Sequence, residues 1–177
     1  VKRLGLLRHA KSDWSDVSQR DFDRGLNNRG RRGAAKIGEH IRDYSVKWDV
    51  LLASPAERVK DTIDGARLQI PIQWDEHIYL AESGTLLHVL QGVEGDPDAV
   101  LLAGHNPGLQ ELVFDLVAAE NENALFSEVA EKYPTATFAV LELDIDRWAD
   151  CQPGCGKLVH LTRPRDLDPE LGPERVR

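Results

Sequence analysis

Three short segments of the 177-residue chain carry residue types suited to handling an anion with several oxygens. They are Leu6-Leu7-Arg8-His9, then Leu52-Ala53-Ser54-Pro55 with Arg58 just beyond, and Ala103-Gly104-His105-Asn106. Each is an apolar run that gives way to polar residues. In open α/β sheets the carboxyl ends of strands form the usual ligand crevice. If the three runs are neighbouring strands, two guanidinium groups, two imidazoles and two helix N-termini meet at one place. Guanidinium groups and helix N-termini both favour an oxyanion. A phosphoryl group fits best, and a histidine among these groups can attack it. Alone, Arg8 and His9 read as no more than a polar strand end; Arg58 and His105 in matching contexts change that reading.

The elements that must position these residues follow from hydrophobic pattern. Residues 3–7, 49–53 and 99–103 are short apolar runs and read as buried strands. Residues 9–26 carry many charges and little periodicity, and read as a loop. Ala34, Ile37, Ile41 and Tyr44 recur at helical spacing within 28–45. Ser54, Pro55 and Glu57 form a helix-start signature, with Ser54 as cap, for a helix running to about Leu68. Residues 70–74 suggest a strand and 84–91 a helix ended by Gly92. Asn106 suits an N-cap and Pro107 the first helical position of a helix reaching roughly Ala119. Residues 135–143 and 156–162 read as strands joined by a polar turn over 144–154. Strands alternating with helices imply an α/β fold, a three-layer α/β/α sandwich with a mostly parallel sheet. The terminal strand pair adds an antiparallel edge and makes the sheet mixed. Residues 1–162 form a single domain. The remainder, 163–177, holds three prolines and eight charged residues and reads as an exposed or partly disordered tail.

At this point a resemblance enters. Leu7-Arg8-His9-Ala10-Lys11-Ser12-Asp13 resembles the Arg-His-Gly signature of the histidine phosphatase superfamily, which is phosphoglycerate mutase-like in fold. Ala10 stands at the usual glycine, as it commonly does in the SixA-type phosphohistidine phosphatase branch. Asp21-Phe22-Asp23-Arg24-Gly25-Leu26, Asn28-Arg29-Gly30-Arg31-Arg32 and Ser54-Pro55-Ala56-Glu57-Arg58-Val59-Lys60-Asp61-Thr62 are similar to segments of that branch. Gly104-His105-Asn106-Pro107 and Tyr133-Pro134-Thr135-Ala136 complete the series, in family order from residue 4 to about 143.

The resemblance implies a two-step phosphoryl transfer. His9 is the expected nucleophile, neutral and held in one tautomer by donating its other ring N–H to a backbone carbonyl. Arg8, Arg58 and His105 are expected to bind the phosphoryl oxygens, with Ser12 and Asn106 as further phosphate contacts. Asp13 and Glu82 are equal candidates for the general acid. No metal or cofactor is expected. The connections after residues 69 and 92 are short and offer no obvious lid. An open site suits a phosphohistidine carried on a protein. A small-molecule phosphomonoesterase is the alternative, and a binding module without turnover is the reading from another class. The expected partner is a phosphorylated protein or a small phosphorylated substrate.

Composition narrows the field further. Thirty acidic residues against 22 basic ones give a net charge of −8, which argues against broad nucleic-acid binding. No run of about 18 apolar residues is present, so no membrane-spanning helix is expected. The apolar start is too short for a signal peptide, and a cytoplasmic location is the default. His40 reads as a solvated surface residue. His77, His88 and His160 show no ligand spacing. Cys151 and Cys155 form one Cys-x-x-x-Cys without further ligands nearby. Arg29, Arg31 and Arg32 read as a solvated helix face, with steering of an acidic protein as a second reading. Thr62 reads as structural. Trp14 either packs the signature loop down or lines the crevice.

Overall fold

The computed structural model describes residues 1–173. Six strands form one sheet: β1 (Lys2–Arg8), β2 (Val50–Ala53), β3 (Ile72–Trp74), β4 (Ala99–Gly104), β5 (Phe138–Leu143) and β6 (Gly156–Thr162). Their order is β3-β2-β4-β1-β5-β6. The first four run parallel; β5 lies antiparallel to β1, and β6 antiparallel to β5. The mixed sheet with an antiparallel edge is the one the terminal strand pair implied.

Strand periodicity builds two cores. In β4, Val100 and Leu102 face one layer, while Ala99, Leu101 and Ala103 face the other. In β5, Ala139, Leu141 and Leu143 join the first set, and Phe138 and Val140 the second. All six residues of β4 are buried, as a central parallel strand covered on both faces requires. Helices α1 (Asn28–Asp43) and α2 (Glu57–Ala66) pack on one face. Helices α3 (Ser83–Gln91), α4 (Gly108–Leu116) and α5 (Ala124–Glu131) pack on the other.

Helix α1 follows its sequence signals closely. Asn27 caps it by accepting from the Gly30 N–H at 2.8 Å, and Ala34, Ile37 and Ile41 are buried. Two glycines let it lie against its neighbours. A Cβ at Gly30 would sit 2.1 Å from the Lys11 carbonyl oxygen, and one at Gly38 would sit 2.2 Å from that of Ala66. The first contact presses α1 against the loop that leaves His9.

Four expectations need correction. Helix α2 starts at Glu57 after Ala56, and Ser54 is fully buried at the end of β2, committed to another bond. Helix α4 begins at Gly108 and stops at Leu116; Pro107 precedes it. Helix α5 was not expected, because only Val129 of its eight residues is buried and a stripe that thin leaves little periodicity to see. Residues 164–171 of the expected tail are built into the fold. A short helix α6 (Pro164–Leu167) and a 3-10 turn (Pro169–Leu171) dock on α1. Arg29 donates to the carbonyls of Glu170 and Gly172, and Arg32 pairs with Asp168 and Glu170. Arg31 donates to the Leu26 carbonyl and to Asn28. Arg29 and Arg32 therefore clamp the C-terminal segment, while Arg31 and Arg32 remain on the solvated face that the sequence suggested. Residues 174–177 of the expected tail lie outside the described residues.

Candidate active site

Strands β2, β4 and β1 are neighbours, and their carboxyl ends bring the three chemical segments together. The His9 N–H donates to the Gly104 carbonyl (3.1 Å), and the Ser54 N–H to the Ala103 carbonyl (3.1 Å). The rings of His9 and His105 stand 5.4 Å apart, centroid to centroid. Arg58, from the first turn of α2, is 4% exposed, and His9 and His105 are 8% and 3% exposed.

His9 is fixed from several directions. Its Nδ1 donates to the Ala10 carbonyl at 2.7 Å, which leaves Nε2 with its lone pair. The Ala10 N–H donates to Thr62 Oγ1 (2.9 Å), and the Thr62 hydroxyl donates to the Arg58 carbonyl (2.6 Å). Thr62 thus ties the His9 loop to the helix that carries Arg58. Burial, against the hydrogen bond to Ala10 and aided by the charges of Arg8 and Arg58, brings the His9 imidazole down to about 4. Burial, then His9 and Arg58, brings His105 down to about 3. Both rings are neutral at pH 7, and a neutral imidazole is the nucleophilic form.

The second histidine has a partner that the sequence reading assigned elsewhere. His105 Nε2 and Ser54 Oγ lie 2.8 Å apart. The serine oxygen also accepts from the Ala56 N–H at 3.3 Å, and its remaining proton is in reach of Nε2. A serine proton given to Nε2 puts the ring proton of His105 on Nδ1, a buried nitrogen with no hydrogen-bond partner among the described residues. Arg8 Nε is another such buried donor; Arg8 Nη1 is held by the Tyr133 carbonyl at 3.0 Å. Unpaired buried donors are costly, and an oxyanion would satisfy both.

The expected phosphate contacts and acids divide. Ser12 lies beside the site in a short bridge to Leu26. Asn106 gives its amide N–H groups to Tyr133 and Gln110 and accepts from the Gln110 N–H at 3.1 Å; its side chain is engaged with the first turn of α4 and with the carbonyl that also holds Arg8. The Asp13 carboxylate accepts from the Ser15 N–H (2.9 Å) within its own turn, and those bonds hold it below the usual carboxylate range. Glu82 is exposed at the start of α3. Neither carboxylate is bonded to a group of the site.

The carboxylate that is bonded there is Asp21, which sequence reasoning missed. Arg58 donates to its backbone carbonyl at 2.8 Å and to its Oδ2 at 3.0 Å. The Tyr79 hydroxyl donates to the same Oδ2, and the Tyr79 ring meets His105 edge to face at 5.4 Å. Burial alone would raise the Asp21 carboxyl, but the Tyr79 hydrogen bond and Arg58 outweigh it and hold it low. The loop over 9–26 thus reaches across the crevice, a cover looked for only after residues 69 and 92. Arg24 organises that loop. Its guanidinium is buried, donates to the carbonyls of Asp13, Asp16 and Gln19, and stacks 3.7 Å from the Trp14 ring centre. Trp14 therefore packs the loop and stays 63% exposed on its outer side.

Comparison with known proteins bears on this geometry. Residues 4–85 match the family model of the histidine phosphatase superfamily (branch 1). An uncharacterized protein of Mycobacterium tuberculosis is 34% identical over 160 residues, covering 90% of this chain and all of that protein. The chain belongs to the histidine phosphatase superfamily. A candidate phosphohistidine phosphatase SixA from Nakamurella multipartitia superposes with a TM-score of 0.82 at 27% identity, covering 92% of this chain and 96% of that one. Another, from Agrobacterium tumefaciens, gives 0.76 at 28% identity, covering 92% and 98%. The three-layer, mostly parallel arrangement is the phosphoglycerate mutase-like fold of this superfamily. Among the described residues no helix is long and apolar enough to cross a membrane. No group of three or more His, Cys, Asp or Glu among them is placed to hold a metal ion. Cys151 is buried and Cys155 partly so, both as free thiols.

Proposed function

We propose that the chain is a cytoplasmic, metal-independent phosphatase that removes phosphate from phosphohistidine on a protein through a phosphohistidine formed on His9. The observation that carries this reading is the placement of His9: buried, with Nδ1 locked to Ala10, beside two arginines and a second buried imidazole. Arg8, Arg58 and the Nδ1–H of His105 hold the phosphoryl oxygens, with Ser12 near them. Nε2 of His9 attacks phosphorus as the bond to the substrate nitrogen breaks, and the electron pair leaves with the substrate imidazole. Water then hydrolyses the enzyme phosphohistidine to inorganic phosphate and restores neutral His9. Fixed donors of this kind stabilise the charge that shifts in the transition state.

The acid side of the site favours phosphohistidine over an ester. An alkoxide leaving group needs a protonated acid beside it, whereas Asp21 is held as a carboxylate. A substrate imidazole already protonated on its far nitrogen leaves as a neutral ring and needs no such acid. Asp13 and Glu82 remain the proposed acids for the ester alternative.

Phosphate release from a chemically phosphorylated histidine protein and from an aryl phosphate, with chelator present, tests the proposal. Turnover that survives chelator, prefers the phosphohistidine protein and vanishes in His9→Ala is the expected result. Undiminished release by the His9→Ala protein would sink the mechanism. A preference for the aryl phosphate would transfer the assignment to the phosphomonoesterase alternative. Stable phosphate binding without turnover on either substrate would favour the binding module.

A further inference from the structure

A second cavity opens beside the crevice, on the side of β1 that carries β5 and β6. It encloses about 240 Å³. Among the described residues lining it, five are basic (Lys11, Arg29, Lys132, Arg163 and Arg165) and none is acidic. This is a concentrated positive site on a chain with a net charge of −8. Its walls are continuous with the nucleophile. Ala10 and Lys11 follow His9 directly and line the cavity. Opposite them, the Ala136 N–H donates to the carbonyls of His9 (2.9 Å) and Arg8 (3.1 Å). The outer wall is the docked C-terminal segment, held by the bonds from Arg29. The acidic groups near Arg163 are Asp166, paired with it at 3.1 Å, and Glu128 at 4.0 Å.

We infer that this cavity is a docking site for acidic side chains of the phosphoprotein substrate, next to its phosphohistidine. The inference rests on the proposed phosphatase reading for the word substrate, but not for the binding. A protein of net charge −8 repels acidic partners at a distance, so a local cluster of cations must supply the attraction that brings one in. The volume suits one or two carboxylate side chains projecting from a segment, and is too small for a helix. Thr135 adds a hydroxyl to the same wall. Occupation from this side leaves Arg58, Asp21 and Tyr79 across the crevice untouched.

The test is binding of a fluorescein-labelled heptapeptide of glutamates, followed by fluorescence anisotropy, with a serine–glycine heptapeptide and a single-stranded oligonucleotide of equal charge as controls. The wild-type chain is expected to bind the glutamate peptide, to lose it as salt rises, and to bind both controls more weakly. The double variant Lys132→Glu, Arg165→Glu is expected to weaken peptide binding about tenfold or more, since like charges now face each other. Its turnover of the aryl phosphate should equal that of the wild type. The single variant Lys132→Glu, at an exposed position, carries the test if the double variant does not fold. Equal binding of glutamate and serine–glycine peptides overturns the inference, as does a folded variant that binds like the wild type. Tighter binding of the oligonucleotide reassigns the cavity to nucleic acid and equally overturns it. His9→Ala retaining peptide binding while losing turnover is expected. A wild type that binds the peptide but hydrolyses nothing would overturn the phosphatase reading alone.

Discussion

At the scale of single residues, the hydroxyl of Ser54 lies 2.8 Å from His105 Nε2, and we expect it to donate there and keep the ring proton on Nδ1. With Ser54→Ala that nitrogen loses its partner, and the ring is free to turn or change tautomer. The phosphoryl group then loses one preorganised donor, a loss of ~10²-fold in kcat for comparable sites. The decisive readout is the split between constants: kcat should fall while KM changes little, and Ser54→Thr should restore most of the rate. Loss confined to KM would count against the tautomer argument. The imidazoles offer a second check. With burial bringing His9 to about 4 and His105 to about 3, neither ring should titrate between roughly pH 5 and 8, the window in which an ordinary histidine does. Imidazole NMR signals of these two residues shifting through that window would remove the neutral-nucleophile premise.

At the scale of elements, the contact between α1 and the loop after His9 leaves no room for a side chain at Gly30. Gly30→Ala would drive a Cβ into the Lys11 carbonyl. Backbone, rather than a flexible side-chain end, must yield. We expect a stability loss of about 1–3 kcal/mol in urea melts, with turnover falling further than that loss accounts for, because the displaced segment carries His9. Unchanged melts and rates would show that the loop is slack. The same elements explain what the sequence made readable. Strands β1, β2 and β4 announce themselves as apolar runs ended by a polar residue, so Arg8, His9, Arg58 and His105 could be placed together before any coordinates. Asp21 could not be, although its segment was singled out. It sits in an aperiodic loop whose path is set by the buried Arg24, and local patterning does not encode such long-range bonds. Ser54 was hidden differently: its residue type fits a helix cap, and only burial shows that its hydroxyl serves His105. The C-terminal segment was misread because proline and charge also describe a short helix clamped by arginines from another element.

At the scale of the whole molecule, the buried histidines couple the site to stability. Both are neutral when folded, with values near 4 and 3, and take up protons near pH 6.5 once unfolded. The unfolded chain therefore binds more protons between those values. Stability is fully present above about pH 6.5 and declines as pH falls, by up to about 1.4 kcal/mol per pH unit for each ring. Urea midpoints should thus drop between neutral pH and pH 5, and the double variant His9→Ala, His105→Ala should show a shallower drop. A midpoint indifferent to pH, or an equal drop in the variant, would place the linkage elsewhere. His40 and His160 are also lowered by burial and contribute in the same direction, so the variant's slope should shrink without vanishing.

The position of β1 between β4 and β5 has a consequence for how the molecule is made. Strand β1 is held by β4 through Arg3–Arg8 and by β5 through Lys2–Leu7, partners that are synthesised roughly 100 and 135 residues later. At roughly 5–20 residues per second on a ribosome, His9 waits on the order of ten seconds for its surroundings. A chain stopped after residue 137 would contain His9, Arg58 and His105, yet leave one edge of β1 unpaired and both cores without the side chains of β5 and β6. Such a nascent chain should show no cooperative melt and should bind hydrophobic dyes, whereas release of the next few dozen residues should bring folding and phosphate binding together in a single step.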